Sequence, residues 1–259
     1  MPLDLWTAPN LARLPSVQHG FTHRTGGVST PPFDSLNVGL HVGDAPDAVR
    51  ENRTRVAGVF GSHLGRMTCA EQIHGGKVAV VSSIDAGRGA AVLTEAIPGV
   101  DALVTNDPGV LLALFFADCV PVFFADERHN VVAIAHAGWR GIVANVLENT
   151  LAMMHTQFGT LPADARIAIG PCIGSECFEV GEAVAVHFSD DTIAPAAPSG
   201  KPHVDLAAAV SRRLLLAGVL PTNLSESGEC TTSDSERYFS HRRDRQRTGR
   251  MGGFIALRP

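Results

Sequence analysis

Three short apolar runs within residues 113–141 (ALFFADCVPVFFADERHNVVAIAHAGWRG) constrain the fold more than any other part of the chain. Runs of this length, bounded by polar residues and glycine, predict strands that are buried on both faces. Asp118 and Cys119 stand between the first two runs, and His136 follows the third. Charged and metal-binding side chains are uncommon in such surroundings. We therefore expect a reactive cluster at the ends of these strands, completed by His74 from the upstream string QIHG.

The chain has 259 residues, of which 45% are hydrophobic, and it shows no repeat and no long linker. Strands and helices follow one another without strict βαβ alternation, which favours mixed sheets over a doubly wound fold. The sequence therefore predicts an α+β (mixed α/β) fold: a single domain over residues 1–259, with mixed β-sheets packed together and flanking helices.

Local patterns predict several individual elements. Residues 37–42 have the pattern of a short strand, and Asp44 is the expected N-cap of a helix that begins at Pro46. One long helix is expected over residues 139–158, because an apolar stripe recurs there at helical spacing. Asp205 should cap a helix that runs through Leu216. Residues 85–99 are small and glycine-rich, which indicates an excursion and a candidate lid.

Charge and cysteine content exclude some classes of protein. The 21 basic and 26 acidic residues give a net charge of −5, which argues against a general nucleic-acid binder. No apolar stretch approaches the roughly 20 residues needed to cross a membrane, and the first residues lack a signal-peptide pattern. We expect a cytoplasmic monomer with no membrane partner. The five cysteines favour reduced thiols; Cys172 and Cys177 are close enough for a bridge or a metal site, although small buried thiols are the commoner outcome.

His74, Cys119 and His136 are candidate metal ligands. Zinc accepts imidazole nitrogen and cysteine thiolate, and three protein ligands leave the fourth position for water or substrate. The separations along the chain match no short-range zinc signature. From the residues alone, a buried cysteine with two hydrogen-bonded histidines stays open as the alternative.

The same residues allow a metal-free interpretation. Cys119 could act as a thiolate nucleophile with His74 or His136 as its base. Asp118 could orient a histidine or take up a proton, or it could cap a turn or pair with an arginine.

Two glycine-containing strings could bind anions. HAGWRG (residues 136–141) combines a strand-to-helix junction with Arg140, whose guanidinium suits phosphate or carboxylate. RTGGVS (residues 24–29) places Arg24 and Ser29 around two glycines. A packed junction and a tight turn with a solvated arginine are the alternatives. A third basic string, residues 240–250, could line a polyanion-binding rim or form a solvated face.

ADCVPV, HAGWRG, QIHG, GPCIG, SHRRDRQRTGR and RTGGVS…SLNVGLHVGD occur in one order, and together they resemble the YfiH/LACC family. This family is also described as multicopper polyphenol oxidase (laccase-like) proteins and as purine nucleoside phosphorylases. The resemblance runs from about residue 21 to residue 257 and implies a YfiH-like fold. It also implies a zinc site, with Cu²⁺ possible, at His74, Cys119 and His136.

The resemblance further implies a zinc-dependent purine nucleoside enzyme. Adenosine, inosine, guanosine and methylthioadenosine would be cleaved with phosphate to the base and ribose 1-phosphate, and adenosine would also be deaminated. Nucleoside and phosphate are the implied partners, with Arg24, Ser29 and Arg140 as candidate phosphate ligands and Asp118 as a candidate proton carrier. The alternatives are an amidase that edits peptidoglycan precursors through Cys119 and a copper-dependent polyphenol oxidase.

Overall fold

A computed structural model describes residues 3–194 and 200–258. Its strands are β1 (Leu5–Trp6), β2 (Val17–Thr22), β3 (Met67–Cys69), β4 (Val78–Val80), β5 (Ala102–Thr105), β6 (Leu111–Phe116), β7 (Val120–Asp126), β8 (Val131–Ala137), β9 (Arg166–Ile169), β10 (Ile193–Ala194), β11 (His203–Val204), β12 (Leu224–Glu226) and β13 (Met251–Leu257). Its α-helices are α1 (Pro9–Ala12), α2 (Pro46–Val59), α3 (Trp139–Val143), α4 (Val146–Phe158), α5 (Glu182–Ala185) and α6 (Leu206–Leu216). Single 3₁₀ turns lie at Leu64–Arg66, Ser83–Asp85, Leu93–Glu95, Asp190–Thr192 and Pro221–Asn223.

Two large mixed sheets form the body of the molecule. The first has the strand order β12-β9-β7-β8-β5-β4, and the second has the order β1-β2-β13-β6-β3. In the first sheet β7 pairs antiparallel with β8 and β9, whereas β9 and β12 run parallel. In the second sheet β6 pairs antiparallel with β13 and parallel with β3. The small β10–β11 pair stands apart from both.

The two sheets pack face to face, and helices cover their outer faces. Along β7, Phe123 and Ala125 face the core between the sheets, while Val122 and Phe124 face the core under α4 and α6. Strand β6 alternates in the same way, and its other face packs with residues of α2. Alternation with both faces buried explains why these strands are continuously apolar in sequence. The mixed fold with packed sheets and outer helices is therefore confirmed.

Two local predictions are wrong. Residues 37–42 form no strand, because the Asn37 side chain bonds locally to the Gly39 amide and to Asp44. The N-cap of α2 is Ala45. The carboxylate of Asp44 accepts hydrogen bonds from the Ser29 and Asn37 side chains and from the Ala45 amide instead of capping the helix.

The helix expected over residues 139–158 is interrupted. Asn145 has a φ of 62° and separates α3 from α4. Asparagine tolerates this left-handed conformation. The guanidinium of Arg213 stabilises this interruption of the helix, because it donates to the Ile142 carbonyl (2.7 Å) and to the Asn145 side chain.

The registers of the strands bring distant parts of the chain to one edge. Val120 pairs with Ala137, so Cys119 lies beside the end of β8. Ala102 pairs with Ala135, which sets Asp101 beside His136. Strand β3 runs parallel to β6, and the chain that leaves it reaches the same edge with His74. Among the described residues, we find no helix with the length and apolarity that a membrane crossing requires.

Candidate functional site

His74 lies in a bend outside the helices and strands, and hydrogen bonds of the backbone fix its place. Its φ of 61° is left-handed, and a turn around it aims three successive backbone amides at one carboxylate. Ile73, His74 and Gly75 donate to the side chain of Asp101 at 3.2, 2.9 and 2.6 Å. This turn fixes the position of the His74 ring.

Asp101 also orients His136. The Nδ1 atom of His136 lies 2.8 Å from a carboxylate oxygen of Asp101, and both side chains are buried. Because an ionised carboxylate only accepts, Nδ1 carries the hydrogen and Nε2 is left to face the cluster. The Asp101 carboxyl thus connects two strand ends through one set of hydrogen bonds.

The structure brings His74, Cys119 and His136 together, as the sequence analysis expected. Their ligand atoms all lie within 4.8 Å of one another, and the two imidazole centroids are 4.7 Å apart. Gly138 makes room for this arrangement, because a Cβ atom there would lie 2.9 Å from Cys119 Sγ and 3.2 Å from His74 Cδ2.

Cys119 and His136 shift each other's pKa values in opposite directions. Burial alone would raise the pKa of the Cys119 thiol, but the charge of His136 and hydrogen bonds from both histidines lower it. Burial alone would lower the pKa of His136, but the Cys119 charge and the Asp101 hydrogen bond raise it. The thiolate form, which binds metals and attacks electrophiles, is therefore favoured.

The donor set fits a zinc or copper ion. One thiolate and two imidazoles are ligands that both metals accept, and bond lengths of about 2.0–2.3 Å are compatible with donors this close together. The hydrogen bond between Asp101 and His136 is the outer contact that metal-binding histidines usually make. The distances and the donor types thus both fit a site with three protein ligands, for zinc and for copper alike.

The cluster opens into a cavity of about 780 Å³, within the range of ligand pockets. Among the described residues, two arginines line it, Arg140 and Arg250. Arg140 stacks on Trp139 at 4.4 Å. Arg250 donates to the Thr248 and Gly249 carbonyls at 3.0 Å. The cavity therefore places two fixed cations close to the candidate metal ligands.

Further polar groups line the same cavity. Partial loss of bulk water at the cavity wall, together with the charges of Arg250 and Arg53, lowers the pKa of His41, and the same partial loss lowers that of His241, although both residues keep an exposed side. Both imidazoles are therefore neutral near pH 7. The segment after Val92 contributes part of the wall, so residues 85–99 border the cavity as an excursion would.

Asp118 does not line this cavity. Its carboxylate accepts from Thr231 Oγ1 (2.7 Å), Ser240 Oγ (3.0 Å) and the Arg242 amide (2.7 Å), and it is buried. These bonds attach the β6–β7 turn to the loop over residues 230–250. These contacts favour a positioning role for Asp118 beside Cys119, and its role as a proton carrier stays a prediction.

Arg24 and Ser29 also lie outside the cavity lining. Arg24 donates to the carbonyls of Asp34 and Ser235, and its guanidinium stacks on Phe239. The buried Ser29 donates to Asp44 at 2.6 Å. Both side chains build the loop that precedes α2, and their contact with phosphate stays a prediction.

Asp101, Gly138 and the cavity residues His41, His241 and Arg250 were not predicted as site residues. Asp101 directly precedes strand β5, a position that does not by itself distinguish it from other acidic residues next to strands. Arg250 and His241 belong to the basic string at residues 240–250. Nothing in the sequence distinguishes Arg250 from the other arginines of that string.

Comparison with known proteins identifies the family of this chain. A family model described as multi-copper polyphenol oxidoreductase laccase matches residues 18–258. The chain belongs to this family. Among curated relatives similar to this laccase-family chain, the purine nucleoside phosphorylase YlmD of Geobacillus stearothermophilus is 42% identical over 246 residues, covering 92% of this chain and 89% of that protein. The purine nucleoside phosphorylase YfiH of Escherichia coli is 39% identical over 238 residues, covering 90% and 91%.

The fold of this laccase-family member also matches solved structures. The crystal structure of YlmD from Geobacillus stearothermophilus superposes with a TM-score of 0.92 at 40% identity, covering 97% of this chain and 94% of that one. Both curated relatives carry the name purine nucleoside phosphorylase.

Proposed function

We propose that this protein cleaves purine nucleosides with phosphate. Adenosine, inosine, guanosine and methylthioadenosine are the proposed substrates, and the free base and the ribose 1-phosphate or its methylthio analogue are the products. The observation that carries the proposal is that Arg140 and Arg250 line one cavity with the His74–Cys119–His136 cluster. The names of the relatives support the same reaction.

Phosphorolysis forms one bond and breaks another at the same carbon. A phosphate oxygen bonds to C1′ of the ribose, the C1′–N9 bond breaks, and its electron pair leaves with the purine, which takes up a proton. Holding phosphate next to C1′ converts a bimolecular encounter into a reaction within one complex. Guanidinium groups bind phosphate with two parallel hydrogen bonds, which makes Arg140 and Arg250 the proposed phosphate ligands.

The neutral histidines of the cavity suit an uncharged base or sugar. A neutral imidazole both donates and accepts a hydrogen bond. We therefore assign His41 and His241 to contacts with the nucleoside, while the arginines hold the anion.

Zinc is the proposed metal, held by His74, Cys119 and His136. A zinc ion held there would supply Lewis-acid chemistry. Asp101 fixes His136 and the backbone around His74, and Gly138 leaves space for the donors. Adenosine deamination, in which water replaces the 6-amino group and ammonia is released, is the second activity that we propose for this cavity.

Product analysis tests this proposal directly. Purified protein would be incubated with each of the four nucleosides, with and without inorganic phosphate, and the base, sugar phosphate and ammonia would be quantified alongside metal content. We expect ribose 1-phosphate or its methylthio analogue only when phosphate is present. Release of base at the same rate without phosphate would contradict phosphorolysis.

Variants of Cys119 and Arg140 separate the role of the His74–Cys119–His136 cluster from that of a proposed phosphate ligand. Cys119→Ala should lose bound zinc and nucleoside turnover together. Arg140→Ala should raise the KM for phosphate more than the KM for nucleoside. Arg128→Ala is the matched control, because this arginine is exposed and interacts only distantly, at 3.8 Å, with Asp164. Full turnover by Cys119→Ala would exclude the cluster from the reaction.

Two other functions have their own support. The lowered pKa of the Cys119 thiol favours a nucleophile, as in an amidase that edits peptidoglycan precursors. The family description favours a copper-dependent polyphenol oxidase. Phosphate-independent amide cleavage would indicate the first, and oxygen-dependent oxidation of a phenol by the copper-loaded protein would indicate the second. Copper uptake alone would indicate neither, because copper outcompetes zinc at most nitrogen and sulfur sites.

A further inference from the structure

Cysteines from two distant segments meet where β9 and β12 end. These strands run parallel, so the chain leaves both of them at the same edge of the sheet. A β-bridge between Cys172 and Cys230 continues the pairing beyond the strands. Cys172 itself is buried. Cys177, five residues further along, lies instead with Cys230 in a partly exposed position.

Three ligand atoms gather at this edge. A carboxylate oxygen of Glu176 and the sulfur atoms of Cys177 and Cys230 all lie within 4.8 Å of one another. Ser233 Oγ sits among them, at 3.4 Å from Cys230 Sγ, 3.6 Å from Cys177 Sγ and 3.4 Å from the Glu176 carboxylate. The Gly174 amide donates to Cys230 Sγ at 3.1 Å, a contact of the kind that outer groups make to metal-bound sulfur.

We propose that Glu176, Cys177 and Cys230 form a second cation site, distinct from the His–Cys–His cluster, for a thiophilic divalent metal such as Zn²⁺ or Cd²⁺. Two sulfur donors and one carboxylate supply three protein ligands, and Ser233 or water can supply the fourth. Metal–sulfur bonds of about 2.3 Å are long enough to connect donors at this separation.

Acidic residues lie beside the cluster. Asp205, Glu226 and Glu229 line a cavity of about 250 Å³ together with Glu176 and Cys230, and of these the Glu229 carboxylate is paired with Arg237 at 2.9 Å. Acidic groups lining a concave surface raise the local concentration of cations.

The site joins segments that the first site also uses. The guanidinium of Arg242 donates to the Cys177 and Glu179 carbonyls, while its backbone amide donates to Asp118 beside Cys119. A cation held by Cys177 and Cys230 would therefore fasten the chain after β9 to the chain after β12 and stabilise the loop that leads to Arg250. We expect it to add stability without being needed for turnover.

A cadmium titration tests the second site in the absence of the first. The Cys119→Ala chain, stripped of metal under a phosphine reductant, would be titrated with Cd²⁺ and followed by thiolate-to-cadmium absorption and by metal analysis. We expect one Cd²⁺ per chain and a higher unfolding temperature. Replacing either Cys177 or Cys230 with serine in this background should abolish both effects, whereas Cys172→Ala, the matched control, should keep them.

Several outcomes would overturn the proposal. Cadmium binding that survives both serine variants would place the metal elsewhere. Absence of binding with the four remaining thiols of the Cys119→Ala chain free would show that the cluster holds no cation, and a Cys177–Cys230 disulfide in the untreated protein would show a bond in its place. Cys177 and Cys230 are only partly buried, so circular dichroism should show their serine variants folded. The titration contains no nucleoside, so its result is independent of whether phosphorolysis is found.

Discussion

The carboxylate of Asp101 holds two of the three cluster residues at once. It accepts from the amides of residues 73–75 and from His136 Nδ1, so both histidines depend on its two oxygen atoms. An amide in this place has one acceptor oxygen and presents an N–H group to donors. Asp101 is therefore the residue through which the cluster is most easily disturbed without removing a ligand.

For Asp101→Asn we expect zinc affinity to fall by roughly 10- to 100-fold, the usual cost of losing a partner of a metal-bound histidine. Competition with a chromophoric chelator measures this. Asp126→Asn is the control, because Asp126 makes a comparable bond to His129 at 2.7 Å outside the cavity lining. Equal zinc affinity in the two variants would contradict the role of Asp101.

Gly138 tests the packing of the cluster. A methyl group there would lie 2.9 Å from Cys119 Sγ, a distance at which the thiol must move. Gly138→Ala should weaken zinc binding by roughly tenfold or more, about 1.4 kcal/mol or more. In Gly181→Ala the new methyl group meets nothing within 4 Å, and φ is −83°, so this control should keep the metal. Zinc content of the two purified variants decides the comparison.

Strand β2 is tied to the start of α1 by a buried histidine. His19 Nε2 accepts from the Ala8 amide at 2.7 Å, which requires the neutral ring. Burial lowers the pKa of His19 to about 4. Between pH 4 and 6.5 the unfolded chain therefore binds more protons at this residue than the folded one, so the stability from His19 is present above about pH 6.5 and is lost as the pH falls.

We expect the free energy of unfolding to decrease by up to about 3 kcal/mol from this group between pH 7 and pH 4, at roughly 1.4 kcal/mol per pKa unit. His19→Gln keeps an acceptor for the Ala8 amide but cannot take up a proton. Urea unfolding of both proteins at pH 7 and pH 5 isolates the effect. Parallel pH dependences of the two proteins would show that His19 does not titrate in this way.

Elements were predicted well where one pattern dominates. Short, continuously apolar runs bounded by polar residues located β6, β7 and β8, and Asp205 marked the start of α6, where its side chain accepts from the Ala208 amide. The break at Asn145 escaped prediction because the apolar stripe continues through it. It depends on Arg213, which comes from α6, far along the chain. Contacts of this kind have no local signature.

At the scale of the whole molecule, the cluster residues were predictable and their supports were not. Histidine and cysteine at the ends of apolar runs carry a chemical signal in the sequence. Asp101 and Gly138 act through the registers of β5, β7 and β8, and these registers follow only from the assembled sheet. Residues 24–29 show the opposite case. Their glycine-rich pattern suits an anion, yet the side chains of Arg24 and Ser29 form hydrogen bonds that build a loop.

Asp118 connects the body of the sheet to the loop over residues 230–250. Its carboxylate accepts from Thr231, Ser240 and the Arg242 amide, three groups more than a hundred residues away along the chain. Its φ of 83° is left-handed, a conformation that asparagine also tolerates. Asp118→Asn therefore changes the hydrogen bonds and leaves the backbone unstrained.

We expect Asp118→Asn to lower the free energy of unfolding by about 1–3 kcal/mol, because the amide leaves at least one buried donor without an acceptor. Zinc content should stay near the wild-type value, since Cys119 and both histidines are intact. Urea unfolding and metal analysis measure the two quantities, and Asp107→Asn, at an exposed turn where the carboxylate accepts from the Ser83 amide, is the control. If Asp118 carried a proton instead, the variant would keep wild-type stability and lose turnover, because a proton carrier is needed for the reaction and not for joining the loop to the sheet.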